Sequence, residues 1–384
     1  MGIEVNVPSP ALDAGIRVKR PLLRVASFDD YDQIAAVERA NGLSVKPREQ
    51  WLRLWQNNPA FQHVPDWPIG WVLEDENRQI VGSLENVPCL YRLGGVTYIG
   101  GFGRGWAVDE RYRSFSLLLI VRQLRQPNID LRLTTTASPR TAALLTQQGW
   151  SRVPVGQWDR SALWVVSYAE TARRYLASRT PRLVSALAGA LVYPPLLLND
   201  LIARRPRHFK TGCQLGWCAG FDERFDQFWS ELEIRNPGVL LSKRDRQTLR
   251  WHFQYALEQS CIWILTACRG QRLIAYAILE RREVRSVDLT RMLLVDFQSL
   301  EKDQDLASAM ISGVLERCRE EGVQVLENVG CWLEKKHSLV NRAPHQRDLG
   351  SWCYLYQAPN PELASTLESV ESWYPTQYDA DASL

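Results

Sequence analysis

Histidine is scarce in this chain, five in 384 residues, and the eight cysteines form no CxxC pair and no cysteine–histidine spacing of a zinc site. No metal is expected. Acidic and basic residues nearly cancel, leaving a formal net charge of +3, so no global basic field points to nucleic acid. No apolar run reaches the roughly 18 to 20 residues of a spanning helix. Residues 1 to 20 lack the apolar segment of a secretory signal, so reduced thiols in a cytoplasmic protein are expected. Tryptophan, by contrast, is plentiful at fifteen. Trp51, Trp55, Trp229, Trp251 and Trp263 fall inside strand or helix patterns, where core packing is their expected role. With 45% hydrophobic and 23% charged residues, the chain has material for two cores of ordinary size.

The two halves share words in the same order. Phe28-Asp29-Asp30-Tyr31-Asp32-Gln33-Ile34 is echoed by Phe221-Asp222-Glu223-Arg224-Phe225-Asp226-Gln227-Phe228, and Gln50-Trp51-Leu52-Arg53 by Gln247-Thr248-Leu249-Arg250. The shift is roughly 193 to 197 positions, about half the chain. Each echo is followed by a strand, a turn and a second strand, from Trp71 and Gln79 in the first half and from Ile264 and Arg272 in the second. One α/β unit occurring twice is the reading.

In the first half Leu22 to Ala26 reads as a strand and Phe28 to Arg39 as a helix, with Ser27 as its N-cap and Ile34 and Val37 facing a core. A second helix covers residues 46 to 56. Strands from Trp71, from Gln79 and from Thr97 to Val108 follow, with turns at Glu76-Asn77 and Gly94-Gly95. The pattern then switches to a helix from Ser116 to Arg125, a strand from Asp130 to Thr136 and a helix from Pro139 to Gln148, closed by Gly149. In the second half, Val287 to Val295 and Val323 to Val329 read as strands around a helix from Leu306 to Cys318. Asp296 to Asp303 reads as the acidic loop between strand and helix. Arg342 to Arg347 reads as a basic loop carrying a surface His345, ahead of a last strand from Trp352 to Tyr356.

Val108-Asp109-Glu110-Arg111-Tyr112-Arg113-Ser114-Phe115-Ser116-Leu117-Leu118 resembles the pyrophosphate loop of GNAT acyltransferases, and Ser138 to Trp150 is similar to that family's following helix. The resemblance implies an α/β (α+β) chain of two tandem GNAT-like acyl-CoA acyltransferase folds, each a twisted mixed sheet flanked by helices. It implies an acetyl-CoA or longer acyl-CoA co-substrate in the first copy only, its thioester held by Trp106 to Val108 and its diphosphate by Arg111, Arg113, Ser114 and Ser116. A strand carboxylate serves such enzymes as general base, which points to Glu85, with Tyr98 as a weaker substitute. Ser116 and Leu118 replace the loop glycines, Leu145 the family's acidic tyrosine and Ser138 its asparagine. In the second copy the acids of Asp296 to Asp303 oppose a diphosphate, so no CoA is expected there.

The expected layout is an N-terminal extension (1–20), a first GNAT-like domain (21–169), a connector (170–212), a second domain (213–358) and a tail (359–384). The tail from Trp373 to Asp381, with the Ala343-Pro344-His345 loop, resembles bacterial GNAT proteins associated with exopolysaccharide or envelope biosynthesis. That implies acyl transfer to an amine or hydroxyl of a saccharide or other small-molecule acceptor. A catalytically degenerate ligand-binding or scaffold protein is the alternative, favoured by the lost glycines and tyrosine.

The connector sets an apolar run, Leu183 to Leu198, between Arg173, Arg174, Arg179 and Arg182 on one side and Arg204, Arg205, Arg207 and Lys210 on the other. Pro194-Pro195 breaks the run. Two readings stand: a helix pair packed on both copies, or peripheral contact of residues 173 to 210 with the inner face of a membrane. On the second reading, exchanging Arg173, Arg174, Arg204 and Arg205 for Gln releases the protein from anionic vesicles at low salt, each arginine being worth on the order of 1 kcal/mol. Absence of co-sedimentation by the unaltered protein selects the packed helices.

Overall fold

The computed structural model describes residues 19–156, 158–168, 171, 212–284, 288–330, 345–349, 353–379 and 383. The connector basic and apolar residues, Arg342 to Pro344, Trp352, Ala380 and Asp381 lie outside these. Among the described residues no helix is long and apolar enough to cross a membrane.

In chain order the first half contains β1 (Leu22–Val25), α1 (Tyr31–Ala40), α2 (Arg48–Arg53), α3 (Pro59–His63), β2 (Gly70–Glu74), β3 (Ile80–Leu93), β4 (Val96–Val108), α4 (Ser116–Leu124), β5 (Leu131–Ala137), α5 (Pro139–Gln147), β6 (Ser151–Arg152) and β7 (Arg160–Val165). The second contains β8 (Gln214–Cys218), α6 (Glu223–Arg235), β9 (Leu241–Ser242), α7 (Arg246–Glu258), β10 (Ile262–Arg269), β11 (Arg272–Val284), β12 (Leu289–Ser299), α8 (Gln304–Glu320), β13 (Val325–Val329), β14 (His345–Asp348), β15 (Cys353–Gln357) and α9 (Pro361–Leu367). Two compact units divide them. Unit 1 takes Met1–Lys46, Pro68–Asn86 and Gly105–Gln126; unit 2 takes Pro47–Trp67, Val87–Arg104 and Pro127–Leu384.

Unit 1 is built on antiparallel strands. β1 pairs with β2 from Leu22 opposite Glu74 to Val25 opposite Trp71, and β2 pairs with the first part of β3, Gly70 opposite Glu85. The turn between β2 and β3 closes on the Asp75 carboxylate, which accepts from the amides of Asn77 (2.8 Å) and Gln79 (2.9 Å). Before α1 the Asp30 carboxylate takes the Ser27 amide at 2.7 Å and the Arg24 guanidinium at 2.7 and 2.9 Å. Ile34 and Val37 of α1 are buried, as their spacing predicts.

In unit 2 the far ends of β3 and β4 turn at Gly94-Gly95, both at positive φ (58° and 80°), which suits a two-residue hairpin turn. β4 then runs parallel to β5, Gly100 to Phe102 beside Leu131 to Leu133. Beyond β5 lie β15 and then β6, both antiparallel. The second sheet has the order β14-β7-β13-β12-β11-β10-β8, with β12 and β13 as its parallel pair. Its central strand β11 is buried from Leu273 to Leu279 because both faces are covered. Leu306, Met310 and Val314 of α8 share one cluster with Ala277 and Leu279, while Phe225 and Phe228 of α6 and Phe253 of α7 share the other with Tyr276 and Ile278.

The two halves therefore repeat the same strand order, with one exchange. β7, from the first half, lies beside β13 in the second sheet, and β15, from the second half, lies beside β5 in the first. Three readings are corrected. Asp296 does not open a loop: β12 continues to Ser299 past a bulge at Ile278/Leu279, and Asp296 is fully buried. His345 is not on a basic loop but in β14, half-buried, its Nε2 3.0 Å from the Tyr168 hydroxyl. Trp251 is half-buried rather than core, while Trp51, Trp55, Trp229 and Trp263 are buried.

One ion cluster ties the exchanged strand in place. Buried Glu327 of β13 accepts from Arg291 of β12 at 2.8 Å and from Arg347 of β14 at 2.6 and 3.0 Å, and Arg347 also reaches Ser161 Oγ on β7 at 3.3 Å. Glu327→Ala is expected to cost about 3 to 5 kcal/mol in chemical denaturation, since it strands two arginines on a buried seam. Removing the exposed Arg160–Asp348 pair should cost less than about 1 kcal/mol.

Candidate active site

In unit 1 the end of β4 is shaped by Gly105, at φ +62°. A Cβ there would stand 2.1 Å from Glu38 Oε1 and within 3.3 Å of the carboxyl carbons of both Glu38 and Glu85. Two carboxyl groups, each 2% exposed, thus converge on one backbone point that only glycine leaves free. Glu85 is placed by β3, whose close approach to β2 requires Gly70: a Cβ at that position would meet Leu84 O at 2.5 Å. Glu38 comes from the last turns of α1, on the face that also buries Ile34 and Ala35. Beside them Ser83 Oγ donates to Gly105 O at 3.3 Å, and buried Asn86 donates to Pro68 O (2.9 Å) and Gln126 Oε1 (3.0 Å). Paired carboxyls shielded from water hold one proton between them more readily than two or none, which makes such a pair a proton-transfer device.

Of the residues expected at this site, the structure brings Glu85 to it and adds Glu38. Tyr98 is elsewhere, in unit 2, partly buried against that unit's core. Glu38 was legible in principle: a glutamate at i+4 from Ile34 and next to Val37 sits inside the apolar stripe of a helix. Trp106 follows Gly105, half-buried, with an indole N–H shielded from water and no hydrogen-bond partner among the described residues. Val108 is buried, and the strand ends as the Asp109 amide donates to Val81 O at 2.8 Å.

The loop differs from an open amide cradle. Glu110–Phe115 forms a 3₁₀ helix, capped by the Asp109 carboxylate, which accepts from Arg111 N at 3.0 Å. It runs straight into α4, and the Ser116 amide bonds to Arg113 O. The amides are thus largely engaged within the loop, so an anion here would be held by side chains. Arg111 and Arg113 are exposed and only loosely paired, at 3.5 Å to Asp109 and 3.9 Å to Glu110. Ser114 is exposed and Ser116 half-buried. In unit 2 Ser138 caps α5 by accepting from Thr141 N at 3.2 Å, and Leu145 is buried.

No family model matches the sequence, and no curated protein matches it. Solved structures do match in shape. A GCN5-related N-acetyltransferase from Anabaena variabilis superposes with a TM-score of 0.52 at 11% identity, over 89% of this chain and 73% of that one. N-myristoyltransferase from Saccharomyces cerevisiae, solved with bound myristoyl-CoA, gives 0.52 at 12% identity over 98% of this chain and 85% of its own. A GCN5-related N-acetyltransferase from Kribbella flavida gives 0.50 at 11% identity over 88% and 71%. The fold is a tandem GNAT fold. The match to N-myristoyltransferase across nearly the whole chain agrees with the doubled strand order, and at these identities the likeness is one of fold.

Within this GNAT fold Gly105→Ala tests the convergence of the carboxyls. The added methyl overlaps Glu38 Oε1 and must drive that side chain off its seat. A loss of stability of about 1 to 3 kcal/mol by thermal or chemical denaturation is expected, with Glu38→Ala relieving part of it in the double variant. Additive losses would place Glu38 away from Gly105.

Proposed function

We propose that the protein is an acyltransferase that moves an acyl group from acetyl-CoA or a longer acyl-CoA, or from an acyl carrier protein, to an amine or hydroxyl of an envelope sugar or related metabolite. The observation that carries the reading is the buried Glu38–Glu85 pair at Gly105, at the end of the strand that leads into the arginine-bearing turn. The thioester of the donor supplies the activated carbonyl. Glu85, with Glu38 beside it, takes the proton from the attacking amine or hydroxyl, while Arg111 and Arg113 supply charge for the diphosphate. Buried Leu145 has no proton to give a departing thiolate, so the reading needs no general acid at that place.

The Asp109-capped loop and Leu145 favour a second reading, a GNAT-fold protein that binds its ligand without turnover. Calorimetry with a series of acyl-CoA chain lengths, followed by a free-thiol assay over candidate acceptors, separates the two. Arg113→Ala should weaken acyl-CoA binding by roughly 1 to 3 kcal/mol. Glu85→Gln should leave binding intact and lower turnover by roughly 100- to 10,000-fold. Binding without thiol release from any acceptor supports the second reading, and unchanged affinity of R113A removes the turn as the donor site.

A further inference from the structure

In unit 2 the segment Trp373–Asp379 has no helix or ladder until a closing 3₁₀ turn at Gln377–Asp379, yet every residue but Gln377 is buried. Its one backbone bridge is Trp373 beside Leu240. Side chains hold the rest. Trp373 Nε1 donates to Leu367 O at 2.7 Å, the Tyr378 hydroxyl donates to Lys243 O at 2.8 Å, and the Tyr378 ring lies 4.5 Å from the Arg244 guanidinium carbon.

Asp379 ends in an ionic seat. The Arg244 guanidinium, 2% exposed, reaches both Asp379 oxygens at 2.9 and 3.0 Å and, by its Nε, Asp296 Oδ2 at 2.9 Å. Asp296, on β12, also receives the Tyr276 hydroxyl (3.0 Å), the Gln298 amide (3.0 Å) and the Thr376 hydroxyl (2.9 Å). Asp379 further accepts from the Thr376 amide at 2.8 Å. Burial alone would drive the Arg244 proton off, but the two carboxylates outweigh it and hold the pKa well above the usual arginine range. Arg244, Asp296, Tyr276 and Gln298 form a fixed receptor; Thr376 and Asp379 are what fills it. Gln298 Oε1 remains buried without a partner among the described residues.

The place matters as much as the bonds. At the shift of roughly 193 that relates the halves, Ser83 and Gly105 correspond to Tyr276 and Gln298, which pair across β11 and β12. The segment therefore stands over the strand positions that in the first copy carry the carboxyl pair. Apolar residues of similar volume would stabilise a core at least as well as a buried ion cluster, so the ionic seat selects its occupant more than it adds stability.

We propose that the cleft of the second copy is a receptor for a carboxylate-bearing peptide segment, and that the chain's own Trp373–Asp379 docks in it reversibly as an internal ligand. Hydrogen exchange on the full chain tests this without reference to acyl transfer. In Asp379→Asn the amides of residues 373 to 379 should exchange faster by on the order of a hundredfold, while the interiors of β11 and β12 keep their protection. Thr376→Val, which keeps the ion pair, should give a smaller rise, about tenfold, and provides the same reading if D379N does not fold. Unchanged exchange of the segment in both variants overturns the proposal. So does loss of protection in β11 and β12 together with the segment, which would make it part of the core.

Discussion

The constraint on which unit 2 depends is that neither sheet is completed by the half of the chain that begins it. In each sheet the only parallel pairing in the described registers joins the fourth and fifth strands, β4 with β5 and β12 with β13, and a crossover helix is what permits it. The outer edge of the fifth strand is then covered by a strand from the other half. An uncovered edge there would present unpaired amides and carbonyls, which a globular protein cannot leave buried. The exchange also merges the cores: Leu131, Leu133, Tyr354 and Tyr356 of the first sheet belong to one apolar cluster with Trp164, Leu326 and Met310. Trp158, just before β7, fixes the crossing point by donating its indole N–H to Thr135 O at 3.2 Å and packing 4.8 Å from the Tyr354 ring.

A single repeated unit has diverged at the same two strand positions by opposite means. In the first copy the position is glycine, and the volume it spares is taken by two glutamates on different elements. In the second it is Gln298, and Asp296 behind the bulge is neutralised by Arg244. Both solutions bury carboxylates, but their electrostatics differ. A carboxylate held by a guanidinium and three further donors is fixed in its charged form, whereas two carboxyls facing one another favour sharing a proton. Proton transfer belongs with the first arrangement and a static anchor with the second.

How much of this was legible follows from the range of the interactions. The doubled order, the helix faces of α1 and α8 and the Gly94-Gly95 turn are set by residues within a few positions of one another, and the sequence displays them. Strand exchange is not local. Nothing in Arg160–Val165 distinguishes a strand that pairs with β5 from one that pairs with β13, since period-two burial fixes which face is inward and not which neighbour is beside it. Asp296 was misread because an acid after an apolar run looks like a loop, and its partner Arg244 lies far away in sequence. His345 was misread for the same reason, its contact being with Tyr168. Glu85 was found from its strand, while Glu38, whose helical phase marks it as inward, was passed over because a charged residue near a helix end is ordinarily solvated.

The turn after β4 shows how a phosphate-binding motif changes character when its glycines are lost. Without them the backbone cannot open its amides outward, and it tightens instead into a 3₁₀ helix whose bonds are satisfied internally and whose N-terminus is occupied by Asp109. That carboxylate lies where an anion would profit from the helix dipole, so the backbone contribution to anion binding is cancelled at its source. What remains is the charge of Arg111 and Arg113, both in water. Attraction by exposed guanidinium groups is screened within about 8 Å at physiological ionic strength, whereas an amide cradle is not. Any affinity of this turn for a diphosphate must therefore decline with added salt far more steeply than in a glycine-lined loop, and this salt dependence, more than the affinity itself, distinguishes side-chain capture from backbone capture.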